Sequence, residues 1–169
     1  MKKLTTIFLL FIFLSCGVKV NYDYEKNTDF FIYKTYSYFS DIHTGISELD
    51  AKRLFKALDH AMALKGMTLS EDSDFIINIS SVTYQENRNN SSVGVGVGSG
   101  GGGISVGIPI GQANVSRQIK FAFVDAKSNQ LFWQATSQET DIPRGSPTER
   151  EEKFQHIVSK VLEGYPPKK

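Results

Sequence analysis

The chain has 169 residues, with 19 lysines and arginines against 18 aspartates and glutamates, for a formal net charge of +1 at pH 7. That balance gives no strong basic patch and argues against nucleic acid or an anionic membrane surface as the main partner, while the length suits one domain with a real core. The one cysteine, Cys16, excludes an intramolecular disulfide.

Cys16 closes a stretch that starts Met1, Lys2, Lys3 and runs through the apolar residues Ile7 to Leu14 before Ser15. This apolar run falls well short of the roughly 20 residues that span a bilayer, so a cleaved segment is expected rather than an anchor helix. The pattern reads as a lipoprotein signal over residues 1–15, with the lipid on the Cys16 sulfur and Ser15 as the small residue at the cut. Phe13 and Leu14 depart from the Leu and small residue usual at those places. Several acyl chains, at about 0.8 kcal/mol per buried methylene, make a lasting anchor. Gly17 in place of Asp resembles signals sorted to the outer membrane, and Val18 to Val20 lacks the acidic cluster some groups use for surface display. The expected location is the outer membrane, facing the periplasm. Residues 16–169 then form a single domain of near-neutral charge.

Val18 to Tyr24 and Phe30 to Phe39 are rich in Tyr, Phe, Val and Thr around the turn-forming segment Glu25 to Asp29, which predicts two strands that pair as a hairpin. Ser47 is an N-cap with Asp50 three residues on, ahead of Ala51, Leu54, Phe55, Leu58, Ala61 and Met62 at helical spacing, and Gly66 supplies the stop. Phe75, Ile77 and Ile79 alternate with polar residues in a strand reaching Tyr84.

Nine of the chain's 14 glycines lie between Gly94 and Gly111, interleaved with Val93, Val95, Val97, Ile104, Val106 and Ile108. Over residues 90–114 this tract is read as a partly ordered hairpin flap, with a loop as the alternative. Val115, Arg117, Ile119, Phe121 and Phe123 share one face of the next strand, and the polar turn Asp125 to Gln130 leads into Leu131 to Thr136 as a second hairpin. The last helix begins with Ser146, Pro147 and Glu149, carries Phe154, Ile157, Val158 and Val161 as its stripe, and ends at Gly164, Pro166 and Pro167. Together these elements predict an α+β fold, a mostly antiparallel sheet of about five to six strands with two helices on one face.

Chemistry is sparse along the chain. Gly98, Gly100 and Gly103 fit a dinucleotide spacing, but Pro109 and the β-branched residues after Gly103 oppose the helix that motif needs. His43, His60 and His156 stand far apart, with no spacing that presets a metal site, and Asp41 with His43 is at most a weak pair. Glu71, Asp72 and Asp74 read as a solvated turn rather than a calcium loop. No serine sits in a nucleophile motif. No catalytic residue, metal or cofactor is therefore assigned. Tyr22, Tyr24, Tyr33, Tyr36 and Tyr38, with Trp133, form the one positive feature. Core packing is their first expected role, and a contact surface is the second.

Four stretches together resemble a bacterial lipoprotein family known as domain of unknown function 4136. They are Val20-Asn21-Tyr22-Asp23 with Asp29-Phe30 and Tyr33-Lys34-Thr35-Tyr36; Lys65-Gly66-Met67 with Asp74-Phe75; Val124-Asp125-Ala126 with Leu131 and Trp133; and Tyr165-Pro166-Pro167. Tyr38 stands where relatives often carry Trp. The resemblance implies an exported, lipid-anchored α+β domain and brings no activity or catalytic residue with it. The expected role is a non-enzymatic envelope lipoprotein that contacts a protein or envelope partner in the periplasm through the tyrosine strands and the flap. A small-ligand carrier with a pocket under the flap is the alternative, and an envelope hydrolase assembled from distant residues is the third.

Overall fold

A computed structural model of the chain describes residues 18–86, 114–140 and 145–168. Its elements are β1 (Lys19–Tyr24), a 3-10 turn (Phe30–Ile32), β2 (Thr35–Tyr38), α1 (Glu48–Leu64), β3 (Thr68–Leu69), β4 (Phe75–Glu86), β5 (Asn114–Asp125), β6 (Leu131–Thr140) and α2 (Pro147–Leu162). The six strands form one sheet in the order β1-β6-β5-β4-β2-β3. The fold is α+β, as the sequence patterns suggest.

The helices start where the sequence places their caps. Ser47 Oγ accepts from the Asp50 N–H, and Ser146 with Glu149 forms a full capping box ahead of Pro147. Gly66, at φ 78°, sits in the left-handed region just beyond α1, a conformation that costs glycine little. One core joins helices and sheet. Leu54, Leu58 and Met62 from α1 and Phe154, Val158 and Val161 from α2 are buried with Phe75, Ile77 and Ile79 of β4 and Phe121 and Phe123 of β5. The alternate residues Asn78, Ser80 and Lys120 are exposed, so both helices cover one face of the sheet.

Two expectations are corrected. The sheet is mixed rather than mostly antiparallel, because β2 pairs in parallel with both β3 and β4. α1 causes this: its 17 residues carry the chain back about 25 Å, so the strands that follow run in the same direction as β2. Nor do β1 and β2 form a hairpin. β1 pairs with β6 at one edge, and three strands separate it from β2, a lateral shift of about 19 Å at about 4.8 Å per strand that residues 25–34 cross at the end of the sheet.

The β5–β6 hairpin contains a bulge. Phe123 pairs with Trp133 and Val124 with Leu131, which leaves Phe132 as the extra residue. The kink lets Phe132 and Trp133 be buried side by side, although consecutive strand residues ordinarily point to opposite faces.

The helices run parallel to each other. Asp50 meets Arg150 in their first turns and Lys56, midway along α1, meets Glu151, whereas Lys65 reaches the Tyr165 carbonyl near their ends. β1 begins opposite Gln138, toward the helix starts, and finishes opposite Trp133, whose indole meets Gly164 at the end of α2.

Candidate functional site

The aromatic residues divide by strand register. Tyr33, Tyr36 and Trp133 are buried in the core, so the expectation of a contact surface does not hold for these three. Register is the physical reason: Tyr36 lies opposite Phe75, and Trp133 opposite Phe123, on the face the helices cover. Tyr33 stacks on Phe132 with ring centroids 4.1 Å apart. Tyr38 is half-buried and packs edge-on against Phe55. Tyr22 and Tyr24 remain exposed, at 40% and 42%. Of the six aromatic residues named from sequence, only these two present substantial surface. Cys16 and the glycine tract, apart from Asn114, lie outside the described residues.

Three of the phenols are held by carboxylates. Tyr36 and Tyr38 both donate to Asp59 Oδ1, at 2.8 and 2.6 Å, and burial followed by that bond to the carboxylate raises both hydroxyls far above the ordinary tyrosine value. Tyr33 donates to Asp125 Oδ2 at 2.9 Å and is pushed up to about 12 by burial and then by Asp125. These groups stay protonated at neutral pH and serve as donors that fix strands to helix and turn.

The other perturbed acids have structural partners as well. Asp74 Oδ2 accepts from the Lys34 N–H, the Thr35 N–H and Thr35 Oγ1, and the two backbone bonds lead in holding its carboxyl below the usual range. Asp125 is lowered chiefly by the Ser128 N–H. Asp50 is almost fully buried; burial would raise its carboxyl, but bonds from Arg150, Ser47 and Arg53 outweigh this and lower it. Sequence patterns find the capping position of Ser47 but not the ionic link between helices, which joins residues 100 apart.

Among the described residues no group of three or more His, Cys, Asp or Glu side chains is placed to hold a metal ion. His43 and Asp41 approach to 3.2 Å as an exposed pair on a loop, and His60 and His156 are exposed on the helices. No helix among the described residues is long and apolar enough to cross a membrane.

Two surface features can take a partner. The first is an apolar cluster where β1 ends and β6 begins: Phe31 is 69% exposed, Ile32 60%, Leu131 47% and Tyr24 42%. Asp29 holds the 3-10 turn that presents Phe31 and Ile32 by accepting from the Phe31 N–H. The second is a groove of about 430 Å³ between α1 and α2, lined by Ala57, His60, Ala61, Leu64, Ser159 and Leu162 among others. It opens between the helices, whereas the space between helices and sheet is filled by the aromatic core.

A family model described as "Domain of unknown function (DUF4136)" matches residues 20–167. Solved structures share the fold at low identity. A DUF4136 family protein from Bacteroides thetaiotaomicron is 14% identical with a TM-score of 0.53, over 90% of this chain and 97% of that one. The PelC dodecamer from Paraburkholderia phytofirmans is 11% identical with a TM-score of 0.53, over 90% of this chain and 100% of that one. A PDZ domain protein from Parabacteroides distasonis is 14% identical with a TM-score of 0.57; 90% of this chain matches it, and the match spans 36% of its length. No curated protein matches the chain.

Proposed function

The chain belongs to the DUF4136 family, and from that premise we propose that it is a non-enzymatic lipoprotein, anchored through Cys16 in the outer membrane, that faces the periplasm and engages an envelope protein. The observation that carries this reading is the run from Lys2 and Lys3 through Ile7 to Leu14 and Ser15 to the single cysteine. In support of an interaction role, the perturbed side chains are engaged in holding elements together, and Phe31, Ile32 and Leu131 are among the exposed apolar residues. Copies of the chain itself are candidates for the partner, since PelC, which shares the fold, assembles as a dodecamer. Metabolic labelling with a fatty-acid analogue tests the anchor. Wild type takes up label and Cys16→Ala does not; unlabelled wild-type protein contradicts the reading. Crosslinking in cells from positions 31 and 131 tests the partner, and recovery of no crosslinked protein counts against it.

The groove between the helices favours a second reading, a carrier of a small apolar ligand. Native mass spectrometry of gently purified protein would then show a bound mass that a Ala61→Trp variant, which fills the groove, no longer retains.

A further inference from the structure

The free edge of the sheet at β1 is complementary to itself. β1 closes one side of the sheet, and among the described residues no strand lies beyond it. At the other side β3 has only two residues, too few to template a further strand, whereas β1 has six. Tyr22 and Tyr24 are exposed on that edge, as are Lys19, Asn21 and Asp23.

Pairing with β6 fixes the hydrogen-bond phase of the edge. The Glu25 N–H donates to the Phe132 carbonyl, directly across in the register that sets Tyr24 opposite Trp133, so the bonded pairs with β6 fall at every second residue, on Asp23, Asn21 and Lys19. The N–H and C=O groups of Val20, Tyr22 and Tyr24 therefore point away from β6. An incoming strand has to bond to those three.

A second β1 laid antiparallel about Asn21 meets this requirement. Val20 then stands opposite Tyr22 of the second copy in a bonded pair, and Val18 stands opposite its Tyr24. Between them Lys19 faces Asp23, and Asn21 faces Asn21. The segment Val18-Lys19-Val20-Asn21-Tyr22-Asp23-Tyr24 thus matches its own reverse, Val with Tyr and Lys with Asp. β-branched residues meet aromatic ones on the face the helices cover, and opposite charges meet on the open face. Gln134 donates to Asp23 at 3.0 Å, which keeps the carboxylate on that open face. Charges on an edge strand ordinarily repel an incoming strand, but here each meets its opposite. A slip of two residues loses the match: one direction sets Asp23 against Asn21, and the other sets Lys19 against Asn21.

We propose that two copies of this chain pair through β1 in this register, joining their sheets into one. The contact is the same patch on both copies and uses up both β1 edges, so it closes at two and leaves only the short β3 edges outside. Seven residues a side make a small contact, and the pairing is reversible. It requires no acylation of Cys16 and lies apart from Phe31 and Leu131.

Full-length protein in mild detergent provides the test. Facing non-bonded residues of antiparallel strands have Cα atoms about 4.5 Å apart, within disulfide range. Asn21→Cys is expected to give a linked dimer on mild oxidation. Asp23→Cys is not, because its two copies lie four residues apart along the strands, about 14 Å. Wild type run alongside shows any linkage made by Cys16 itself. In sedimentation, Asp23→Lys is expected to weaken self-association at least about tenfold, and adding Lys19→Asp is expected to restore it. No linked dimer at position 21, equal linkage at positions 21 and 23, or linkage of position 21 only to a different protein overturns the self-pairing. Each of these outcomes leaves the acyl label on Cys16 and the crosslinks from positions 31 and 131 to judge the proposed function separately.

Discussion

The indole of Trp133 donates to the Gly164 carbonyl at 3.2 Å, joining the β6 strand to the end of α2 across a partly buried contact. Gly164 also lies so close to the Tyr22 ring that a Cβ there would overlap it. Tyr22 reaches the same helix end, where its hydroxyl donates to the Lys160 carbonyl at 2.6 Å. Tyr22, Trp133 and Gly164 together fasten edge strand β1 and α2 to each other.

Gly164→Ala is therefore expected to destabilise the protein by about 1–3 kcal/mol, the usual cost of overpacking. Trp133 is the only tryptophan, so its emission reports unfolding directly in a urea titration. A variant as stable as wild type would contradict the close packing described.

Asp50 is 2% exposed by its side chain, and it bonds to Arg150 on the other helix and Arg53 on its own. Asp50→Ala leaves Arg150 without its buried acceptor and is expected to cost about 3–5 kcal/mol. The double variant Asp50→Ala with Arg150→Met is expected to recover part of that loss, which a double-mutant cycle in urea would measure.

Asp59 accepts from two phenols on one oxygen. Asp59→Ala strands the Tyr36 hydroxyl in a buried site, and a loss of about 1–3 kcal/mol is expected from that unpaired group. Adding Tyr36→Phe and Tyr38→Phe removes the stranded donors, so the triple variant is expected to be more stable than Asp59→Ala alone in the same unfolding assay.

Stability should fall at both extremes of pH. Asp74 and Asp125 titrate below their ordinary range in the folded chain. Their contribution is thus present above an unfolded value of about 3.9 and is lost as pH falls through the folded values. Tyr33 is raised to about 12, so its contribution is present below about 10 and is lost as pH climbs through about 12. Urea midpoints measured across pH check both limbs. Asp74→Asn is expected to flatten the acid limb, and Tyr33→Phe the alkaline one.

Local signals in the chain carry much of the fold. Ser47 and the Ser146-Pro147-Glu149 set mark the helix starts because capping satisfies N–H groups within three residues, and Gly66 marks a stop because only the backbone at that position decides it. The polar turn from Asp125 to Gln130 gives the β5–β6 hairpin for the same reason. Pairing between distant strands is another matter. Nothing in Val18 to Tyr24 tells β1 to join β6 rather than β2, since that choice is settled by Tyr22 meeting β6 and α2 over more than 100 residues of chain. The division of the tyrosines has the same origin. Tyr22 and Tyr36 look alike in sequence, yet register places one at the sheet edge and the other under α1.

Acylation of Cys16 is the claim on which the proposed location and role depend. The intact mass of protein extracted from membranes with mild detergent tests it most directly. The account predicts a chain that begins at Cys16 and carries the added mass of acyl groups. A chain that retains Met1, or one that begins at Cys16 with no added mass, would contradict it.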